Sequence, residues 1–200
     1  MALRDPDKTR LNLMNIAAGM FQQKGYNGTS LSDIINEAGV SKGALYHHFS
    51  NKQELLYSVI DELYRQRFLA PWANVANSAD PIEAIAAVLE SFSHNTDIEE
   101  VCNGCPVHNV LAELGATDSG VRTRVNQMQC DAQQLISNAL QRAKELGLVS
   151  QEVDSTKVSL FFMCGINGMP QLVTSCQKVE VFQQLTSALA DYIRSFKMVD

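Results

Sequence analysis

The chain has 200 residues, of which 46% are hydrophobic, so it can bury a substantial core in one large domain or two small ones, and disorder is excluded. No run approaches the roughly 18 consecutive apolar residues of a membrane span and no secretory leader opens the chain, so we expect a cytoplasmic protein without a membrane partner. The five cysteines are an odd number, which argues against a secreted disulfide framework, and the net charge of −6 is unexpected for a protein that binds nucleic acid.

The first predicted helix ends at Gly25, after a stripe of apolar residues at helical spacing. Beyond it, residues 29–56 predict two short helices joined by a tight turn, with a third helix following at once. Thr29 and Ser30 are suited to capping the first of these helices, and Gly39 follows its last apolar residue, where a left-handed backbone favours glycine. This arrangement is a helix-turn-helix, whose second helix fits the major groove of DNA, about 12 Å wide.

The second short helix, predicted for Lys42 to Phe49, has an apolar face and a polar face. Leu45 and Phe49 are four residues apart and can both point inward. The outward face presents small residues, which let the helix approach the groove, and lysine, tyrosine and histidine, which can reach phosphates and base edges. Asn51 is expected to cap the third helix, so that Lys52 lies in its first turn, where free amides accommodate a phosphate. The alternative is a polar face that is merely solvated.

Two stretches of this region, FQQKGYNGTS from Phe21 to Ser30 and GVSKGALYHHFSNKQEL from Gly39 to Leu55, resemble the TetR family of transcriptional repressors. The resemblance covers about residues 8–56. It implies a homodimer that binds palindromic, double-stranded operator DNA and leaves it when an effector acts. Positions that usually contact DNA in that family are matched by Thr29, Lys42, Tyr46, His47 and Lys52. With the rest of the helix-turn-helix face, the predicted DNA-binding residues are Thr29, Ser30, Lys42, Gly43, Ala44, Tyr46, His47, His48 and Lys52.

The charge is divided unequally along the chain. Residues 1–52 carry six Lys or Arg against four Asp or Glu, whereas the remainder carries ten against eighteen. The basic end can face phosphate while the acidic body steers the protein end-on, and so few positive groups require two copies on adjacent half-sites for tight binding. We therefore predict a helix-turn-helix DNA-binding domain at residues 1–52 and an effector-binding and dimerisation domain at residues 53–200.

The second predicted domain is helical throughout. No segment shows the alternation of apolar and polar residues that is typical of a strand, so the predicted fold class is all-α with about nine helices. The last two helices have a wider apolar face than one small core needs, which agrees with the resemblance in predicting a homodimer through about residues 155–198. The alternative is an ordinary monomer core. Helical spacing extends over residues 53–67, 82–94, 106–115, 118–147, 155–176 and 179–198.

An effector must bind among the middle helices if it is to change the spacing of two DNA-binding helices. Aromatic and sulfur-containing side chains there suit an apolar or aromatic molecule, although side chains at this helical spacing more often form a plain core. The predicted effector residues are Trp72, Phe92, Cys105, His108, Met128, Phe161 and Phe162.

The segment CNGCPVH, from Cys102 to His108, contains a candidate sensor. Pro106 suits the first position of a helix, which makes Cys105 the N-cap, where the helix dipole lowers the pKa of a thiol. A GC element here resembles the redox- and electrophile-responsive branch of the family, so Cys105 is the candidate sensor thiol and Cys102 its resolving thiol. One alternative is that Cys105 is a small, buried and unreactive residue. Another is that the protein is a repressor or an activator that responds to a reversible apolar effector, with no thiol chemistry.

Other functions are less consistent with the sequence. Cys102, Cys105 and His108 lack the second ligand pair of a structural zinc site, so we expect no metal and no cofactor. No acid is evident to orient His108 as a base for a Cys105 nucleophile, so we expect no enzyme activity. An architectural DNA-binding protein would need more basic charge and no apolar pocket.

Overall fold

The computed structural model describes residues 6–95 and 101–198. Within these two ranges the chain forms nine helices and no strand, besides two short 3-10 turns after the fourth helix. The prediction of an all-α fold with about nine helices is confirmed. The helices are α1 (Pro6–Lys24), α2 (Leu31–Ala38), α3 (Lys42–His48), α4 (residues 52–69), α5 (Pro81–Asn95), α6 (Pro106–Leu114), α7 (Ser119–Glu145), α8 (Ser155–Cys176) and α9 (Val179–Arg194).

Local caps explain where the helices of the helix-turn-helix begin and end. Ser30 caps α2 and forms a capping box with Asp33, and Gly39 ends α2 in the left-handed conformation with φ of 60°. The side chain of Ser41 accepts a hydrogen bond at the start of α3, and Asn51 does the same for α4. The boundaries predicted from these hydroxyl, amide and glycine residues are confirmed.

The fourth helix is irregular in a way that the sequence did not predict. Its middle, Val59–Tyr64, is a π-helix between two α-helical ends. The side chains of Val59, Ile60 and Tyr64 are buried there, and the Tyr64 hydroxyl donates to the carbonyl of Ala18 on α1 at 3.1 Å. The wider turn therefore lies where α4 packs on α1.

The described residues form two compact units. The first comprises those of Met1–Arg67 together with Cys105–Asn126, and the second comprises those of Phe68–Gly104 and Gln127–Asp200. The first unit therefore extends beyond the predicted boundary at residue 52, because α6 packs against α1 and against the π-helix of α4. The functional division of the chain at residue 52 stays a prediction.

The second unit has a continuous apolar core between α5, α7, α8 and α9. Trp72, Ile136, Phe162 and Ile193 are among its buried residues. At one end of α9, Arg194 forms ion pairs with Glu83 and Glu90 of α5. Across the residues that the structure describes, no helix combines the length and apolar character needed to cross a membrane.

Candidate nucleic-acid interface

The third helix presents a polar face to solvent because two apolar side chains anchor its other face. Leu45 and Phe49 are 0% and 1% exposed, as predicted from their spacing. Tyr46, which lies between them in sequence, is 45% exposed, and the Lys42 ammonium lies 5.7 Å from the centroid of its ring. The exposed residues of the predicted set on α3 are Lys42, Gly43, Tyr46 and His47, and the half-buried ones are Ala44 and His48.

The two histidines at the end of α3 form an edge-to-face pair. The rings of His47 and His48 are 5.0 Å apart. Burial lowers the pKa of His48, and the nearby positive charges of His47 and Arg10 lower it further. A neutral His48 can accept a hydrogen bond as well as donate one. Arg10 is itself held by Glu62, at 2.7 Å between Nη1 and Oε2, so its charge has a fixed place beside α3.

Thr29 requires a correction to the predicted DNA-binding set. Its side chain is buried, with 1% exposure, and its hydroxyl donates to the carbonyls of Gly25 at 2.8 Å and Met20 at 3.3 Å. The hydroxyl therefore closes the end of α1 and does not face solvent. Its neighbour Ser30 is exposed and caps α2, with its side chain accepting from the Asp33 N–H at 3.1 Å. Sequence alone could not separate these adjacent hydroxyl residues, because both suit a helix cap.

Lys52 lies in the first turn of α4, as predicted from the cap at Asn51. Its ammonium lies 4.0 Å from the centroid of the Tyr26 ring, in the turn between α1 and α2. Burial lowers the pKa of Lys52, and the negative charge of Glu113 opposes this effect. Lys52 is half-buried. Its contact with Tyr26 positions it against the turn that also leads to Ser30.

Two carboxylates that bind this region were not predicted. Glu113 on α6 accepts hydrogen bonds from the backbone N–H groups of Tyr26 and Asn27, and Asp118 accepts from the hydroxyl of Tyr57. Burial alone would raise the pKa of Asp118, but hydrogen bonds from Gln53, Tyr57 and backbone amides lower it. For Asp118, the sequence predicted only that a helix begins near residue 118. No local signal could have identified Glu113, which is 87 positions from Tyr26.

Three of the predicted effector residues meet in the second unit. Trp72 packs edge-to-face against Phe92, at 5.7 Å between centroids, and against Phe162, at 5.6 Å. Met128 is also buried and lies in the same unit. Phe161 does not join this cluster and is 61% exposed. The reason is that successive residues of an α-helix point about 100° apart, so burial of Phe162 turns Phe161 outward.

Cys105 is the N-cap residue of α6, as predicted, but its expected acidity is wrong. Burial raises the pKa of the Cys105 thiol, and the N–H groups of His108 and Val107, which would lower it, do not compensate. Cys105 and His108 lie in the first unit, whereas Cys102 lies in the second, and both cysteines are half-buried. The predicted effector residues are thus divided between the two units.

The second unit also has an open, polar cleft of about 430 Å³ that includes none of the predicted effector residues. Amide side chains and the ion pair between Arg142 and Glu145 line it. Among the described residues, no group of three or more His, Cys, Asp or Glu side chains is placed to hold a metal ion.

Comparison with known proteins matches both parts of the chain. A family model described as bacterial regulatory proteins of the tetR family matches residues 13–59, and a second, described as the tetracyclin repressor-like C-terminal domain, matches residues 81–189. An uncharacterized HTH-type transcriptional regulator in the lacX 3' region of Lactococcus lactis subsp. lactis is 28% identical over 135 residues, which are 66% of this chain and 68% of the relative.

Two further similarities agree with these matches. The HTH-type transcriptional regulator LmrA of Bacillus subtilis is 32% identical over 117 residues, which cover 57% of this chain and 61% of the relative. The crystal structure of a TetR-family transcriptional regulator from Cytophaga hutchinsonii superposes with a TM-score of 0.86 over 100% of both chains, at 20% identity. At that identity the superposition establishes the fold.

Proposed function

Since the chain belongs to the TetR family of transcriptional regulators, we propose that it represses transcription as a homodimer on palindromic operator DNA and is released by a small-molecule effector. The family consists of regulators and not of enzymes. The observation that carries the proposal is the exposed polar face of α3, held outward by the burial of Leu45 and Phe49.

The predicted DNA-binding residues divide into two kinds of contact. Lys42 and Lys52 are suited to phosphates, which fix the register of a protein on the duplex, and Ser30 adds an exposed hydroxyl. Tyr46 and His47 are suited to base edges in the major groove, because they project from the exposed side of α3. The absence of a side chain at Gly43, together with the small side chain of Ala44, lets the start of the helix approach the groove.

Large apolar side chains on the surface of α8 support a homodimer. Leu160, Phe161 and Leu172 are 52%, 61% and 56% exposed. Phe161 packs on Tyr192 of α9, with ring centroids 5.1 Å apart, so the exposed apolar surface extends over both helices. Surfaces of this kind mark sites of protein association, and a two-fold axis would pair the same surface on two copies.

The surroundings of the predicted effector residues favour a reversible effector. The cluster of Trp72, Phe92 and Phe162 offers aromatic edges and faces to an apolar or aromatic molecule. The raised pKa of Cys105 keeps its thiol protonated, and a protonated thiol is a poor nucleophile. We therefore favour a small apolar effector over modification of Cys105 as the releasing signal.

Selection from a random duplex library, followed by anisotropy titrations at several salt concentrations, tests DNA binding. We expect the wild type to select a palindrome. Lys42→Ala should reduce the slope of log affinity against log salt by about one and weaken binding to all sequences equally. Lys157→Ala, which removes an exposed lysine of the second unit, is the matched control and leaves the slope unchanged. Recovery of no palindrome contradicts the proposal.

Light scattering tests the dimer. We expect a particle of twice the chain mass for the wild type and of the chain mass for Phe161→Asp, because a carboxylate would be buried unpaired between two copies. Leu146→Asp, at an exposed leucine outside α8, is the control and should remain dimeric. A dimer in Phe161→Asp as stable as that of the wild type would place the interface elsewhere.

A further inference from the structure

Glu113, near the end of α6, binds the turn between α1 and α2 through both carboxylate oxygens. Its Oε2 accepts a hydrogen bond from the backbone N–H of Tyr26 at 2.7 Å, and its Oε1 accepts one from that of Asn27 at 2.6 Å. Gly25 precedes them with φ of 73°, and successive N–H groups beside such a left-handed residue can form a concave anion site. Because hydrogen bonds to an ionised acceptor are about twice as strong as neutral ones, Glu113 fixes the conformation of the turn.

Tyr26 connects this turn to α4. Its ring lies under the ammonium of Lys52, in a cation–π contact of 4.0 Å. The backbone of Tyr26 is held by Glu113 at the same time, so the ring has a fixed place. The position of Lys52 therefore depends on Glu113 through Tyr26.

A second carboxylate, that of Asp118, holds α4 directly. Its Oδ1 accepts from the Tyr57 hydroxyl at 2.7 Å, and its Oδ2 accepts from the Gln53 side-chain amide at 2.8 Å. Gly120 is required beside it, because a Cβ at that position would lie 2.6 Å from Cζ of Tyr57 and displace the ring. The guanidinium of Arg124 covers the same ring at 3.9 Å. Residues at the start of α7 thus contact the side chain of Tyr57 from several sides.

From these contacts we propose that Glu113 and Asp118 are positioning residues for DNA binding, which orient the α1–α2 turn and α4 and thereby place Ser30 and Lys52 against phosphates. This inference rests on the proposed function. Hydrogen bonds depend on direction and distance, whereas apolar contacts do not depend on direction, so the two carboxylates define an orientation that apolar packing leaves adjustable. A small shift of the turn would misplace the phosphate contacts that set the register on DNA.

The test compares full-length wild type and Glu113→Gln on a duplex selected by the wild type and on a random duplex. A carboxamide has one acceptor oxygen for two N–H groups, so we expect about tenfold weaker operator binding, with no loss of random-duplex binding. We also expect about tenfold faster hydrogen exchange at the amides of Tyr26 and Asn27. Electrostatics alone predicts the opposite change in operator affinity, because removing a negative charge near Lys52 would tighten binding to both duplexes.

Glu37→Gln is the matched control, since it removes the same charge from the exposed face of α2. We expect no loss of operator affinity in that variant. Tyr57→Phe tests the second carboxylate while leaving the cap that Asp118 gives to α7 intact. We expect a few-fold loss of operator affinity there, again with random-duplex binding unchanged.

Operator binding by Glu113→Gln as tight as that of the wild type, with unchanged exchange at the two amides, would overturn the inference. A wild type that selects no sequence refutes the proposed function, and the exchange rates of Tyr26 and Asn27 then still decide whether Glu113 holds the turn. Accelerated exchange supports that contact, and unchanged exchange refutes it.

Discussion

Each of the two compact units has buried apolar residues and long-range hydrogen bonds to carboxylates, but these contacts are arranged differently within each unit. The second unit has a continuous apolar cluster in which the rings of Trp72 and Phe162 are buried against helical neighbours. The first unit also has buried apolar residues, but its short helices are joined in addition by long-range hydrogen bonds to carboxylates, such as those of Glu113 and Asp118. The second unit also has hydrogen bonds of this kind, from Arg194 to Glu83 and from Lys197 to Asp80, but they lie at one end of α9.

The difference follows from what each kind of interaction controls. Apolar burial stabilises in proportion to area and has no preferred direction, whereas a hydrogen bond contributes only about 0.5–1.5 kcal/mol net but fixes an orientation. The apolar cluster of the second unit therefore contributes stability in proportion to its buried area, whereas the carboxylates of Glu113 and Asp118 in the first unit define the orientation of a turn and a helix. Loss of burial should cost the second unit more than loss of one polar contact costs the first.

The largest expected effect is that of Trp72→Ala in the second unit. Trp72 is 2% exposed and touches two other aromatic rings, so its truncation leaves a cavity and should lower the free energy of unfolding by about 3–5 kcal/mol. Urea denaturation followed by circular dichroism measures this loss. Trp72→Phe, which keeps an aromatic ring, should lose much less. A loss in Trp72→Ala below about 1 kcal/mol would remove the contrast between the units.

A smaller effect is expected in the reactivity of Cys105, which reports whether the first unit keeps a dry interior despite its polar contacts. Burial raises the pKa of its thiol above the ordinary 9.0, so the thiolate fraction at pH 8 is smaller than that of an exposed cysteine. Iodoacetamide should therefore modify Cys105 more slowly than the exposed Cys130 and Cys164. Peptide mass spectrometry over time measures the rates, and urea-unfolded protein, in which the rates converge, is the control. Fast modification of Cys105 in the folded protein would restore it as a candidate sensor.

The smallest expected effect is that of the surface ion pair between Arg10 and Glu62. The hydrogen bond from Arg10 holds the pKa of Glu62 below its ordinary 4.5. The ionised carboxylate therefore stabilises the folded protein above pH 4.5. This stabilisation is lost as the pH falls through the lowered pKa of the folded state. The wild type should therefore lose slightly more stability on acidification below pH 4.5 than Glu62→Gln does. The effect is small because the Glu62 side chain is 48% exposed and solvent screens the pair.

Urea midpoints between pH 7 and about pH 3 measure the difference, with Glu37→Gln as the control for removal of a carboxylate. Identical acid profiles for the wild type and Glu62→Gln would show that this pair contributes nothing to the first unit. A steeper profile for Glu62→Gln would contradict the sign of the pKa shift.

Much of the first unit could be predicted from sequence because its signals are local. Ser41 and Gly39 mark helix ends through bonds to residues three or four positions away, and the spacing of Leu45 and Phe49 fixes which side of α3 is exposed. Thr29 shows the limit of such signals. A hydroxyl residue before a helix suits a cap, a phosphate contact or an internal hydrogen bond equally, and only packing against α1 selected the last.

Less of the effector region could be predicted, because apolar spacing is the same for a core and for a ligand site. The aromatic residues around Trp72 were identified by type, but their contacts arise from helices far apart in the chain. The adjacent residues Phe161 and Phe162 could not both be buried, and the sequence alone did not decide between them. Cys105 was correctly placed at a helix start, yet the packing around it reversed the expected direction of its pKa shift.

The sequence by itself determined the helices, their caps, the outward face of α3 and the family to which the chain belongs. Each of these depends on residues within a turn or two of helix, or on an ordered motif, and so survives without knowledge of the fold. The tertiary structure alone decided that Glu113 binds a turn 87 positions away, that Thr29 faces inward and that desolvation raises the pKa of the Cys105 thiol. These depend on distances between segments remote in the chain, which periodicity and propensity do not encode.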